Sequence, residues 1–185
     1  AGTSRRPRQE ETIRKLVSAA LETLRDSSYA GLTVRAVAAR ANVAPATAYT
    51  YFSSKNHLVA EVYLDLIRRV DYFTDVNDST ADRVRQSLRS LALVVADEPA
   101  VAAACTTALL SDDSAVRPVR DRIGAAIPKR IKSALGPDAD ARTVAALEMS
   151  YFGALVQAGS GAFSYRQIAD RLGYVAGLIL QSGDR

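Results

Sequence analysis

Apolar positions recur along this chain at the spacing of helices rather than strands. Ile13, Leu16, Val17, Ala20, Leu21 and Leu24 follow the i, i+3, i+4, i+7 pattern that lines one face of a first helix. Asp26-Ser27-Ser28 should end it, and Gly31 is expected to adopt a backbone angle that other residues avoid. Thr33 reads as the N-cap of a short helix that turns Val34, Val37, Ala38 and Ala41 inward. A turn at Asn42-Val43 follows at once. Pro45 then suits the first turn of a third helix, because the N–H it lacks would be unpaired there. That helix runs to about Tyr51. Ser53 or Ser54 caps a fourth, which carries the clearest stripe in the chain: Leu58, Val59, Val62, Tyr63, Leu66, Ile67 and Val70.

From Asp71 to Ala81 the chain is polar and reads as a junction. Further helices are expected near 81–96, 99–110, 114–135, 139–159 and 165–181. Pro99 opens one of them, and Ser164 with Gln167 has the spacing of a capping box at the start of the last. Pro128 falls inside its helix and should kink or split it. No run of alternating β-branched residues and no internal repeat is present, so the fold class is all-α.

Composition narrows the possibilities. One cysteine, Cys105, rules out an intrachain disulfide and points to a reducing, cytoplasmic setting. No apolar run reaches the roughly 18 residues of a membrane span, so no membrane partner is expected. Residues 1–11 are basic and polar and lack the apolar stretch of a signal peptide. Charge is unevenly placed: residues 1–70 hold 11 Lys and Arg against 6 Asp and Glu, an excess of +5, whereas the remaining residues carry 13 against 14, or −1. A polyanion is the natural partner for that basic third. Arg5, Arg6 and Arg8 could extend it as a flexible arm over residues 1–9 that enters a minor groove. His57 is the sole histidine, and Cys105 has neither a histidine nor a paired acid at a suggestive spacing. No metal-ligand cluster, P-loop or dinucleotide glycine motif appears, so no enzyme, metal or cofactor is indicated.

The segment TVRAVAARANVAPATAYTYF, Thr33 to Phe52, has the pattern of a helix-turn-helix. Val37, Ala38 and Val43 supply small apolar contacts between its two helices, and Ala41 is small where they meet. Ala48 and Phe52 share the inward face of the second helix. Its outer face then offers Pro45, Ala46, Thr47, Tyr49 and Thr50 to a major groove, where hydroxyls bond base edges or phosphates and methyl groups meet thymine methyls.

The order AVAARANVAPATAYTYFSSKNHL resembles the signature of the TetR family of bacterial repressors. The match lies at Ala36, Val37, Ala38, Ala41, Val43, Thr47, Tyr49, Tyr51, Phe52, Ser54, Lys55 and Leu58, within roughly residues 10–70. The resemblance implies that Tyr49, Tyr51 and Lys55 contact the DNA backbone while Thr47 and Thr50 face the groove. Lys55 also opens the fourth helix, where backbone N–H groups favour a phosphate, and Thr33 is a phosphate candidate on the same ground. Ala44 stands where a capping Ser is common in the family, and Ala46 where Gly is common.

What the resemblance implies for the rest is a helix-turn-helix domain over 10–56, a bridging fourth helix over 57–70, and a ligand-binding and dimerisation domain over 71–185. A symmetric homodimer would be held by the last two helices. Val144, Leu147, Tyr151, Leu155 and Ala158 make one stripe for it, and Leu172, Val175, Ala176, Ile179 and Leu180 another. Leu88, Leu91, Val95, Val101, Cys105, Leu109, Ile123, Ile127, Met149 and Phe152 are the candidate lining of an effector pocket. They are almost free of charge, which favours an apolar or amphipathic ligand. The segment EPAVAAACTTALLSDDSAV is similar to actinobacterial repressors of sterol and lipid catabolism, which makes a lipid-like effector the expectation. Together these readings describe a repressor released from a palindromic duplex operator by its ligand. A helical protein-interaction module without sequence-specific DNA binding is the alternative, and it leaves the motif and the charge split unexplained.

Overall fold

A computed structural model describes residues 5–183, and among these every regular element is helical. In order they are α1 (Arg5–Asp26), α2 (Val34–Arg40), α3 (Pro45–Tyr51), α4 (Lys55–Arg69), α5 (Thr80–Ala92), α6 (Pro99–Leu109), α7 (Arg117–Leu135), α8 (Ala141–Gly159) and α9 (Tyr165–Gly183). Short 3-10 turns at Tyr29–Gly31, Leu93–Val95 and Ser114–Val116 join them. The all-α expectation holds, and the helix bounds fall close to those read from periodicity.

Three local outcomes differ from expectation. Helix α1 begins at Arg5, so residues 5–9 are its first turns rather than an extended arm, and residues 1–4 lie outside the described residues. Pro7 permits this because a first-turn proline forfeits no helical hydrogen bond. Pro128 does not split its helix: α7 runs unbroken from Arg117 to Leu135. Gly31 is not left-handed. Among the described residues the positive-φ positions are Asn42 (55°), Gly136 (98°) and Gly161 (80°). Asn42 is the telling one. It stands just past the C-cap of α2, and the Val43 N–H reaches back to the Ala38 carbonyl at 2.9 Å while the Asn42 N–H reaches Ala39 at 3.1 Å. This pair of bonds is the Schellman closure, which turns the chain sharply into α3. Asn tolerates the conformation because its short amide side chain costs little there.

The chain forms two compact units. One contains the chain up to Asp65 together with Glu98–Asp121, and the other contains Leu66–Asp97 with the chain from Arg122 onward. The boundary therefore falls inside α4 and α7. Helix α6 and the start of α7 belong to the same unit as the helix-turn-helix.

In the first unit, Leu16, Ala20 and Leu24 of α1, Val37 and Ala38 of α2, Ala48 of α3, and Leu58, Val59 and Leu64 of α4 are fully buried. Arg40 at the end of α2 ties back to α1 through Glu22 (3.2 Å) and Asp26 (2.7 Å). Arg25 near the end of α1 grips Glu98, the N-cap residue of α6, with two bonds of 2.5 and 2.9 Å. Planar two-point pairing of this kind fixes geometry more than it adds stability at an exposed site.

In the second unit α9 packs along α5 and α8. The fully buried residues here include Leu88 and Leu91 of α5, Leu147 and Tyr151 of α8, and Ile168 of α9. Ser164 and Gln167 make the expected capping box, with reciprocal bonds of 2.8 and 3.1 Å. Arg130 of α7 is only 3% exposed. Its guanidinium donates to the carbonyls of Arg68 (2.9 Å), Val70 (3.2 Å) and Ala126 (3.2 Å) and lies 4.7 Å from the centre of the Tyr72 ring. A buried cation thus closes the last turn of α4, where the helix dipole and unpaired carbonyls favour positive charge.

Candidate nucleic-acid interface

The α2–turn–α3 unit begins with a side-chain cap. Thr33 is extended, and its Oγ1 accepts the Ala36 N–H at 3.0 Å. Helix α3 has no such cap, because Ala44 occupies its N-cap position and offers no acceptor; Pro45 follows as the first helical residue. What holds α3 is its inner face. Ala48 is fully buried and Phe52 is 2% exposed, with the Phe52 ring set edge-on to His57 at 5.3 Å.

The opposite face is open. Pro45, Ala46, Thr47, Tyr49 and Thr50 are exposed, as is Thr33 at the start of α2. Tyr49 is 51% exposed. The Thr50 hydroxyl donates to the Ala46 carbonyl at 3.0 Å, so its hydrogen is taken by its own helix. Tyr51 is half-buried at the end of α3.

Lys55 is held in place. Its Nζ donates to the Tyr29 carbonyl at 3.2 Å and lies 4.1 Å from the centre of the Tyr29 ring. The Tyr29 hydroxyl in turn donates to Asn56 Oδ1. Ser54 caps α4, accepting the His57 N–H at 3.0 Å, and its hydroxyl donates to Asp113 Oδ2 at 2.5 Å. The Ser54 hydrogen bond is the chief reason the Asp113 carboxyl sits below its usual range, with the Ala115 N–H adding to it. Burial raises the Tyr29 phenol above its usual value, and the nearby Asp113 charge adds to this. Sequence reading missed Tyr29, Asn56 and Asp113. The first lies 26 residues from Lys55 and the last 59 from Ser54, and no short-range motif marks such separations.

The expected pocket residues divide between the units. Leu88, Leu91, Val95, Ile123 and Ile127 are buried in the second unit, and Phe152 is half-buried there. Val101 and Cys105 are buried in the first, with Leu109 half-buried. Cys105 is a free thiol, pushed up to about 12 mainly by burial. Met149 has to be corrected. It is 74% exposed because it lies two residues past the fully buried Leu147, about 200° around the helix, on the outer face of α8. The expected dimer stripes shift for the same reason. Val144, Leu147 and Tyr151 of α8, with Leu172 and Ala176 of α9, are buried within the chain itself. The uncovered apolar side chains on these helices are Met149, Val156, Tyr174 and Leu178. A Cβ added at Gly153 or Gly177 would meet nothing within 4 Å.

Comparison with known proteins decides the family. Residues 16–62 match the model of bacterial regulatory proteins of the tetR family. The chain is also 69% identical, over 96% of its length and 84% of the relative's, to an uncharacterized HTH-type transcriptional regulator of Mycobacterium tuberculosis. The chain belongs to the TetR family of bacterial transcriptional regulators. This TetR-family chain is 26% identical to the HTH-type transcriptional repressor KstR of Rhodococcus jostii, over 96% of its own length and 86% of that protein's. Among solved structures it is similar to a TetR transcriptional regulator from Rhodococcus sp. RHA1, with a TM-score of 0.76 and 25% identity over 90% of this chain and 95% of that one. Relatives named as transcriptional regulators place the family outside enzymes. Among the described residues no group of three or more His, Cys, Asp or Glu side chains could hold a metal, and no single helix is long and apolar enough to cross a membrane.

Proposed function

We propose that this TetR-family chain is a homodimeric repressor that binds a palindromic duplex operator through α3 and leaves it when a small apolar or amphipathic molecule binds. The observation that carries the reading is the division of α3 into a buried Ala48 face and an open face of Pro45, Ala46, Thr47, Tyr49 and Thr50. Side chains that do no packing work on such a short helix are free to read a groove. Thr47 is the base-reading candidate, since the Thr50 hydrogen is already engaged. Tyr49, Tyr51, Thr33 and Lys55 are assigned to the DNA backbone. Thr33 Oγ1 caps α2 as an acceptor and keeps its own O–H to donate.

Support for the dimer comes from Met149, Val156, Tyr174 and Leu178, which leave α8 and α9 with apolar side chains uncovered in the single chain. Gly153 and Gly177 add room for a close helix approach. The effector reading rests on the apolar interior of the second unit at Leu88, Leu91, Val95, Ile123 and Ile127, with Phe152 beside them. Val101, Cys105 and Leu109 of α6 belong to the first unit, and the exposed Met149 is no part of that interior. A lipid-like ligand suits such side chains, and it can act only to the extent that it prefers the shape that does not bind DNA.

The test is selection of duplexes from a randomised pool by the purified protein. A two-fold symmetric consensus, with half-sites about one helical turn apart, is the expected result. Enrichment of no sequence, with binding absent at low salt, would defeat the reading. Lipid extracts that leave affinity for the selected duplex unchanged at saturation would defeat the effector half alone.

A further inference from the structure

A DNA-contacting lysine gains affinity only if its ordering does not consume the gain. Its side chain loses close to 2 kcal/mol of rotamer entropy when fully fixed, and in most interfaces that loss falls at the moment of binding. Lys55 is different. Before any DNA is present its ammonium already has two anchors, both supplied by Tyr29: the backbone carbonyl at 3.2 Å and the ring face at 4.1 Å. Neither anchor is an anion, so the positive charge remains uncompensated by them. The carbonyl takes one of three N–H donors and leaves the others for a further acceptor.

Tyr29 is itself placed by more than the chain around it. It opens the 3-10 turn between α1 and α2, where the Leu32 N–H bonds back to its carbonyl at 3.3 Å. Its hydroxyl is fixed by Asn56, the residue after Lys55. The ring is therefore pinned at both ends, at the backbone and through Asn56. Asn56 stands in the first turn of the same helix that carries the lysine. The result is a closed loop of contacts: Tyr29 ring to Lys55, Lys55 along α4 to Asn56, and Asn56 back to the Tyr29 hydroxyl.

We propose that Tyr29 is a positioning residue for DNA binding, which holds the Lys55 ammonium in advance at the place where a backbone phosphate is met. The proposal rests on the reading of Lys55 as a phosphate contact and adds the residue that makes this contact effective. Tyr29 touches no base in this account and carries no sequence preference. Its effect passes through Lys55 alone. It should therefore appear on any duplex, operator or not, because phosphate contacts are independent of sequence.

The experiment uses the full-length protein and a duplex of arbitrary sequence at low salt, read by fluorescence anisotropy across a salt series. The variants are Lys55→Ala, Tyr29→Leu, Tyr29→Phe and the Lys55→Ala/Tyr29→Leu double. Lys55→Ala should lower affinity and reduce the slope of log affinity against log salt by about 0.9, the loss of one phosphate contact. Tyr29→Leu should lower affinity about threefold, a fraction of the side-chain ordering cost that then falls at the moment of binding. It should leave the salt slope unchanged, since the charge is still present. Tyr29→Phe keeps the ring and should recover most of that loss. In the Lys55→Ala background, Tyr29→Leu should have no further effect.

An independent readout guards against a merely unfolded variant. The ring current of Tyr29 should move the Lys55 Hε methylene resonances upfield in the wild type, and the shift should vanish in Tyr29→Leu while the methyl resonances of the core stay in place. Tyr29→Leu binding as well as the wild type, beside a weakened Lys55→Ala, overturns this inference and leaves the phosphate reading intact. An equal loss from Tyr29→Leu with and without Lys55 also overturns it, because Tyr29 would then act by another route. Lys55→Ala binding as the wild type does removes the phosphate reading and the inference together.

Discussion

Replacing Arg130 by Met should destabilise the second unit by about 2 kcal/mol, and the figure follows from what the guanidinium holds. Arg130 donates to the carbonyls of Arg68, Val70 and Ala126 and lies against the Tyr72 ring. Ala126 is four residues back on α7, so its carbonyl keeps the helix's own backbone bond without the side chain. The carbonyls of Arg68 and Val70 are at the end of α4 and have no continuing turn to serve them. Losing a charged donor to each costs about 1.5 kcal/mol at the low end of the usual range. The low end applies because Arg68 and Arg69 are exposed and water can reach that turn. The lost contact with Tyr72 adds about 1 kcal/mol. Against this roughly 4 kcal/mol stands the relief of burying a cation at 3% exposure, of order a few kcal/mol, which offsets about half. Met preserves most of the stem's packing, so no large cavity term enters. Arg130→Lys should lose about 1 kcal/mol, since an ammonium keeps the charge but cannot span the same carbonyls as a planar fork. Urea unfolding followed by helical circular dichroism measures both. An Arg130→Met protein as stable as the wild type would show that the buried charge costs as much as its bonds return.

Three further outcomes follow from local geometry. Ala44→Ser gives α3 the N-cap acceptor it lacks and should stabilise the first unit by about 0.5–1 kcal/mol in the same assay; no change would mean that the N–H groups of α3 are already satisfied. The Asp113 carboxyl is held below 3.8, first by Ser54 and then by the Ala115 N–H, so its contribution is fully present above the ordinary value and is lost as pH falls through the lowered one. The stability gap between wild type and Asp113→Asn should therefore be constant near neutrality and close at pH below about 4; a gap that widens on acidification would reverse the assigned sign. Cys105, buried and pushed up to about 12, should be inert to Ellman's reagent at pH 8 until urea unfolds the chain. Reaction of the native protein at the rate of a free thiol would contradict its burial.

Much of this molecule was legible from side-chain period and turn chemistry. The stripe Leu16, Ala20, Leu24 and the stripe from Leu58 to Ile67 are buried where 3.6-residue spacing puts them. Asn42 and Pro45 marked the turn into α3 because few residues fit those backbone positions. Periodicity was less informative in α8 and α9. Both helices are apolar over more than one face, so spacing could identify a stripe without saying which stripe the chain covers itself. Leu147 of the expected dimer stripe is buried within the chain, and Met149 of the expected pocket lining is exposed, for that reason. Pro128 does not split its helix, which is buried at Ile123, Ile127 and Ile131 on either side of it. Least legible were the contacts of Tyr29, Asp113 and Arg130, because they join segments 26 to 62 residues apart through single side chains. Such contacts leave no periodic trace.

The central claim is that Thr47 of α3 and Lys55 meet duplex DNA in two different ways, one reading bases and one meeting phosphates. The most direct measurement is the affinity of wild type, Lys55→Ala and Thr47→Ala for the selected operator and for one-base variants of it, across a salt series. The account predicts that Lys55→Ala weakens every duplex alike and lowers the salt slope by about 0.9. Thr47→Ala should keep the slope and alter the ranking of the variants. Identical effects from the two substitutions, or affinity that does not fall with salt, would contradict it.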